Sequence, residues 1–215
     1  TVIAEEIQEN GGTAVPVEAD VSNQRDVESL VSETVSEFGG IDIMVNNAGT
    51  YRLGPADELT LDDWQHVIDT NLTGVFLCAR EAGRRMINQQ KGGHIINMSS
   101  IWGETGASGR LPYNVSKAGI NSLTKCLAVE WAEHGIYVNA LAPGYVRTEM
   151  SESGQEELDY EKKALFNRTP LNRLGTVEEV ANCITFLAQG DHYMTGEVLH
   201  ADGGWLSFGW GSKNE

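Results

Sequence analysis

Gly39-Gly40-Ile41-Asp42-Ile43-Met44-Val45-Asn46-Asn47-Ala48-Gly49 is the stretch that sets the fold. Two glycines stop whatever precedes them. Ile41–Val45 is short, almost entirely apolar and closed by turn formers, which reads as a buried strand rather than a half-wet one. The segments on both sides have a different period. Asn23–Phe38 places Val27, Leu30, Val31 and Val35 at helical spacing. Thr60–Asn88 reads as a long helical region with a break near Asn71–Gly74.

The same alternation continues toward the C-terminus. His94–Met98 reads as a strand. Pro112–Glu133 reads as a helix whose proline suits the first turn. Ile136–Ala142 is a strand closed by Pro143-Gly144. Thr176–Ala188 is a helix capped by Thr176, with Glu178 and Glu179 in its first turn. Glu197–Ala201 is a last strand before Asp202-Gly203-Gly204. Upstream, Thr1–Asn10 reads as the end of a helix and Ala14–Val21 as a β-rich run. Strands alternating with helices predict a doubly wound α/β fold, a parallel sheet covered on both faces. No linker, repeat or low-complexity segment divides it, so residues 1–215 read as one domain.

In such sheets ligands bind outside the C-terminal ends of the strands. Asp20, Asn46–Gly49, Ser99-Ser100 and Pro143-Gly144 all fall at such ends. Four strand ends that carry Asp, Asn, Ser or Gly predict one rim and one site.

Composition excludes several function classes. The net charge is −16, and a nucleic-acid backbone needs a basic face. The acidic surface reads as solubility or as adaptation to high salt, where lysine is scarce; this chain has six lysines and nine arginines. No apolar run approaches the roughly 18–20 residues of a membrane span. Cys78, Cys126 and Cys183 are unclustered and odd in number, which reads as reduced core thiols of a cytoplasmic protein. The five histidines lack metal-binding spacing, so no metal site is expected.

Tyr113 and Lys117 lie four residues apart on the predicted helix, one above the other on one face. That spacing suits proton transfer by a phenol beside a fixed cation. Lowering a tyrosine from about 10 to about 7 needs roughly 4 kcal/mol. An ammonium about 4 Å away, at an effective dielectric near 20, supplies about that much. Tyr-x-x-x-Lys alone is weak, expected by chance in roughly one chain in three of this length. Its company is stronger, since Ser100 follows a strand that ends at the rim and Asn71 lies in the helix before that strand.

Five segments occur in a fixed order: Asn46-Asn47-Ala48-Gly49, Asn71-Leu72-Thr73-Gly74-Val75-Phe76, Ile95-Ile96-Asn97-Met98-Ser99-Ser100, Tyr113-x-x-x-Lys117 and Pro143-Gly144-Tyr145-Val146-Arg147-Thr148. Together they resemble the short-chain dehydrogenase/reductase family of Rossmann-fold enzymes, from Thr1 to about Trp205. The resemblance implies catalytic roles. Tyr113 is the acid/base, and Ser100 holds the substrate oxygen against it. Lys117 lowers the tyrosine pKa and bonds the nicotinamide ribose, while Asn71 fixes a water that relays protons from Lys117. It also implies NAD or NADP as cofactor. The implied contacts are Asp20 and Val21 at the adenine, Asn47, Ala48 and Gly49 along the adenosine side, and Pro143, Gly144, Val146 and Thr148 at the carboxamide, besides Tyr113 and Lys117.

The glycine-rich turn that such a fold uses for the pyrophosphate is not found before Thr1. Gly103, Gly106 and Gly109 are spaced differently and follow the wrong strand. The expectation is a longer natural chain, with about 35–45 further residues that carry two strands. In the implied order 3-2-1-4-5-6-7 those strands lie between Ala14–Val21 and Ile41–Val45, so Ala14–Val21 is expected to lack its neighbours and Ile41–Val45 to present an apolar edge.

Residues 145–168 resemble a substrate lid. Trp102, Glu104 and Tyr145 flank the rim and suit a sugar, a polyol or another small carbonyl compound. Two other readings stand beside an alcohol–ketone oxidoreductase for such substrates. One is a 3-oxoacyl thioester reductase; the other is a non-catalytic subunit unable to hold a dinucleotide. The resemblance implies a homotetramer or homodimer joined through Thr60–Asn88 and Pro112–Glu133. The apolar tail Trp205–Trp210 reads as packing on a neighbouring subunit.

Overall fold

The computed structural model describes residues 2–147, 165–190 and 192–209. Four strands form one sheet: β1 (Ile43–Asn46), β2 (Gly93–Met98), β3 (Ile136–Pro143) and β4 (Val198–Ala201). They lie in that order and every pairing is parallel. All four C-terminal ends therefore share one rim. The helices are α1 (Val2–Glu9), α2 (Gln24–Phe38), α3 (Leu61–Ile68), α4 (Gly74–Gln89), α5 (Leu111–Trp131) and α6 (Val177–Gln189).

The period-2 rule of strands builds both layers of the core. On β2, Ile95 faces Met86, Ala79 and Ala82 of α4, with Leu127 and Ala128 of α5. The next residue, Ile96, joins Leu141 and Leu187 on the opposite face, against Val180, Cys183 and Ile184 of α6. Truncating a fully buried member such as Ile95 to alanine costs about 2–5 kcal/mol. Buried amides add polar cross-links. Asn46 donates to Asn97 at 2.8 Å, and Asn97 donates to Thr124 of α5 at 3.0 Å, tying β1, β2 and α5 together.

Local chemistry places the helix ends where the sequence predicts them. Asn23 caps α2 through Arg25 N–H, and Gly39 ends it at φ 80°. Thr176 and Glu179 form a reciprocal capping box on α6. The predicted break at Asn71–Gly74 is a π-helical turn, Asp69–Thr73, that joins α3 to α4 without a gap. Such wide turns recur at functional sites. This one carries Asn71.

Two stretches of β-rich sequence lack a full set of neighbours among the described residues. Ala14–Val21 is not a strand: Thr13–Ala19 make no backbone–backbone hydrogen bond to any described residue, and Val15 is 47% exposed. A strand exists only through the ladder to its neighbour, and β propensity alone does not supply one. β1 is the edge of the described sheet rather than a strand buried on all sides. Ile43 and Val45 are 47% and 36% exposed, the apolar edge that the implied strand order predicts. Among the cysteines, Cys78 is buried, with burial raising its thiol to about 11, but Cys126 is exposed on α5.

Candidate active site

Three elements meet at the C-terminal rim. Ser100 leaves β2 in an extended conformation and caps a 3-10 turn, Ile101–Gly103, its hydroxyl oxygen accepting from Trp102 N–H at 3.2 Å. That turn presses onto α5: a Cβ on Gly103 would lie 2.9 Å from the Lys117 backbone, so only glycine fits. The approach brings Ser100 over the first turn of α5, where it lines the same two cavities as Tyr113.

Tyr113 and Lys117 share a face, as their spacing requires. The Lys117 ammonium lies 5.4 Å from the centre of the tyrosine ring. Its Nζ donates to Met98 O at 2.7 Å, which leaves two N–H donors. Lys117 is only 5% exposed. Burial lowers its pKa to about 8.

The phenol moves the other way. Burial raises its pKa, and the Ser100 hydroxyl and the Arg110 charge pull it back only in part. The same low-dielectric setting penalises both the phenolate and the ammonium, and the ammonium spends its best contact on a carbonyl.

Asn71 is fully buried and clamped. Its Oδ1 accepts from Thr50 N–H at 2.7 Å, and its Nδ2 donates to Thr50 O at 2.9 Å and to Ser116 Oγ at 3.1 Å. Ser116 in turn donates to Tyr113 O at 2.7 Å. Both amide donors are committed, so only a spare lone pair on Oδ1 remains on the side chain for a water. A Cβ on Gly49 would stand 3.6 Å from that oxygen and 4.0 Å from Lys117 Nζ. Asn71, Gly49, Lys117, Tyr113 and Ser100 thus form one constellation.

A family model described as enoyl-(acyl carrier protein) reductase matches residues 2–206. A 3-oxoacyl-acyl-carrier-protein reductase of Synechocystis is 42% identical over 208 residues, covering 96% of this chain and 81% of the relative. The chain belongs to the short-chain dehydrogenase/reductase family. The corresponding reductase FabG of Staphylococcus aureus is 39% identical, over 94% of this chain and 81% of its own. Solved structures agree. A short-chain dehydrogenase/reductase of Mycobacterium marinum superposes with a TM-score of 0.86 at 39% identity, over 95% of this chain and 80% of that one. A gluconate 5-dehydrogenase of Burkholderia cenocepacia, in complex with NADP and tartrate, gives 0.90 at 35%, over 96% and 81%.

The nicotinamide dinucleotide of this short-chain dehydrogenase/reductase family fits the residues present at its reactive end. A cavity of about 340 Å³ is lined by Asn47, Gly49, Thr50, Met98, Ser100, Tyr113, Lys117, Pro143 and Gly144, among others. The space left by the missing side chain of Gly49 and the two spare donors of Lys117 suit a ribose and a carboxamide. A smaller pocket of about 90 Å³ takes in Val21, Asn47, Ala48 and Thr70 on the expected adenosine side. Asp20 lines neither: its carboxylate accepts from Ser22 N–H and Oγ, which holds its pKa down. Proximity along the chain makes that turn the stronger claim on the carboxylate. Thr148 lies outside the described residues.

On the substrate side a second cavity, about 330 Å³, contains Tyr51, Ser100, Trp102, Arg110, Tyr113, Gly144, Tyr145 and Val146. Val146 therefore stands here rather than with Pro143 in the other cavity, because its backbone bridges to Gly175. Trp102 packs edge-on to Tyr145 and Trp205 at 6.2 Å each. Trp205 and Phe208 pack on Arg168 within the same chain. Trp210 and residues 148–164 of the expected lid lie outside the described residues. Glu104 lines neither cavity. The 3-10 turn swings it onto α5, where it accepts from Asn121 at 2.9 Å, and Asn121 accepts from Ser99 at 2.5 Å.

Sequence reasoning missed Thr50, Ser116, Tyr51 and Arg110. Thr50 acts through its backbone, which carries no side-chain signal. Arg110, three residues before Tyr113 and opening the same helix, had a position that could have marked it.

Proposed function

We propose that the protein interconverts a secondary alcohol and a ketone on a small polar substrate of the sugar, polyol or related carbonyl class. The observation that carries this reading is that Ser100 and Tyr113 line both cavities and so stand at their junction. The dinucleotide supplies or accepts the hydride. Tyr113 gives a proton to the nascent alkoxide in reduction and takes one from the alcohol in oxidation. Ser100 has its oxygen engaged by Trp102 N–H, so its own proton is free to hold the substrate oxygen. Lys117 carries a cation beside the phenol and offers donors to a ribose. Asn71 keeps Thr50 and Ser116 in place and thereby fixes the floor of the site.

A raised phenol pKa leaves the proton on Tyr113, as the acid role in reduction requires. Tyr51, Trp102 and Tyr145 supply aromatic walls for the face of a small substrate. A second reading, reduction of a 3-oxoacyl thioester, is favoured by the 42% identity to the Synechocystis reductase. A panel of sugars, sugar acids, polyols and 3-oxoacyl thioesters with NADH and NADPH tests the two. Turnover confined to thioesters would sink the small-substrate reading. Absence of turnover, with no nicotinamide fluorescence change on titration, would favour the non-catalytic alternative.

The protein further reads as a cytoplasmic homo-oligomer, a tetramer or dimer. On α5, Leu111, Val115, Ala118, Ser122, Cys126 and Val129 form one exposed stripe of apolar and small residues. No described helix is long and apolar enough to cross a membrane. Light scattering that gave a monomer at micromolar concentration would refute the interface.

A further inference from the structure

The substrate-side cavity contains a charge that the alcohol–ketone chemistry does not explain. Arg110 is half-buried and lines the same 330 Å³ as Ser100 and Tyr113. Its guanidinium is a planar fork of five N–H donors with no acceptor. The chain carries 31 acidic residues against 15 basic ones, so carboxylate partners are abundant. Other arginines have found them: Arg52 pairs with Asp63, Arg80 and Arg84 with Glu81, and Arg173 with Glu179. Among the described residues no carboxylate pairs with Arg110, and none lines its cavity.

A guanidinium withdrawn from water without a counter-charge is costly. The cost is recovered when an anion arrives, and a carboxylate matches the planar donor fork bidentately. The cavity is small. An anion bound by Arg110 must therefore belong to the same small molecule whose oxygen meets Ser100 and Tyr113. A 3-oxoacyl thioester presents a ketone and a thioester carbonyl in that space, both without formal charge.

We propose that Arg110 reads a carboxylate on the substrate, so that the preferred substrates are hydroxy acids and their oxo acids, sugar acids included. This rests on the alcohol–ketone reading above and narrows it. The aromatic walls from Tyr51, Trp102 and Tyr145 then hold the uncharged part of the molecule, while Arg110 sets which end faces Tyr113.

The test is steady-state kinetics on matched pairs, a sugar acid against the corresponding polyol or amide, in the wild type, Arg110→Gln and Arg110→Lys. The wild type is expected to favour the acid in kcat/KM by about 10- to 100-fold, the range of a hydrogen bond to a charged group. Arg110→Gln is expected to remove that preference, chiefly through KM for the acid, and Arg110→Lys to restore part of it. Dinucleotide titration by fluorescence checks that each variant is folded. Equal use of acid and neutral partner by the wild type, or an acid preference unchanged in Arg110→Gln, overturns the proposal while leaving the alcohol–ketone reading intact. Turnover of thioesters alone overturns both.

Discussion

The two rims of the sheet bury ionisable groups with opposite outcomes. At the C-terminal rim Lys117 and Asn71 are almost fully buried, and both hold specific partners. At the N-terminal rim His94 of β2 stacks on Tyr137 of β3 at 5.1 Å, its register partner, with His192 edge-on at 6.1 Å. There the buried His94 Nδ1 has no hydrogen-bond partner among the described residues. Burial and the neighbouring His192 hold the His94 pKa down, so the ring rests neutral. Low dielectric alone perturbs a pKa at either end. What makes one end a candidate catalyst is that its perturbed groups face a cavity and each other, held by a satisfied network.

The largest expected break in this contrast is Tyr113→Phe. It keeps the ring and removes the proton, and kcat is expected to fall by about 10²–10⁴-fold while dinucleotide binding by fluorescence stays close to wild type. Retained turnover would remove the acid/base assignment.

Lys117→Met separates function from stability. A lysine whose pKa drops from 10.5 to about 8 on folding costs about 3 kcal/mol at neutral pH. The sign follows from proton counts: between pH 8 and 10.5 the unfolded chain binds more protons, so native stability rises with pH across that window. Lys117→Met is expected to lose activity, to melt no lower than wild type at pH 7, and to lose that rise. A sharp fall in its melting temperature at pH 7 would mean that the Met98 carbonyl bond outweighs the burial cost.

Asn71→Ala strips the Thr50 N–H, the Thr50 carbonyl and the Ser116 hydroxyl of a partner. With buried groups left unsatisfied, about 2–4 kcal/mol of stability is expected to go, read by chemical denaturation, with activity falling in parallel. His94→Phe gives the smallest effect, under about 1 kcal/mol. His94 has a depressed folded pKa, so its contribution is present above the ordinary histidine value and fades as pH falls through it. The variant is expected to be the more stable protein at pH 5.5 and indistinguishable near pH 8. Identical pH dependence in the two proteins would remove His94 from the account.

Much of the molecule was legible in the chain. The spacing of Val27 and Val31, the Gly39 stop and the Thr176–Glu179 box encode their elements through neighbours a few residues away, and those elements lie where expected. Ala14–Val21 forms no ladder because a strand is made by hydrogen bonds to another strand, which local composition cannot report. Glu104 was misjudged because one 3-10 turn decides which way a side chain faces. The Coulomb estimate for the lysine and the tyrosine left out the burial that both undergo.

The sequence by itself determined the alternation of strands and helices, the rim, and the shared helical face of Tyr113 and Lys117, since these depend on period, caps and fixed helical spacing; Asn71 and Ser100 joined them through the family resemblance. Tertiary structure alone decided that Asn71 would be held by the Thr50 backbone, that Glu104 would face away from the cavity, and that an arginine without an acidic partner among the described residues would enter it. Each of those depends on which atoms distant segments bring within hydrogen-bond reach, and on how much water their meeting excludes.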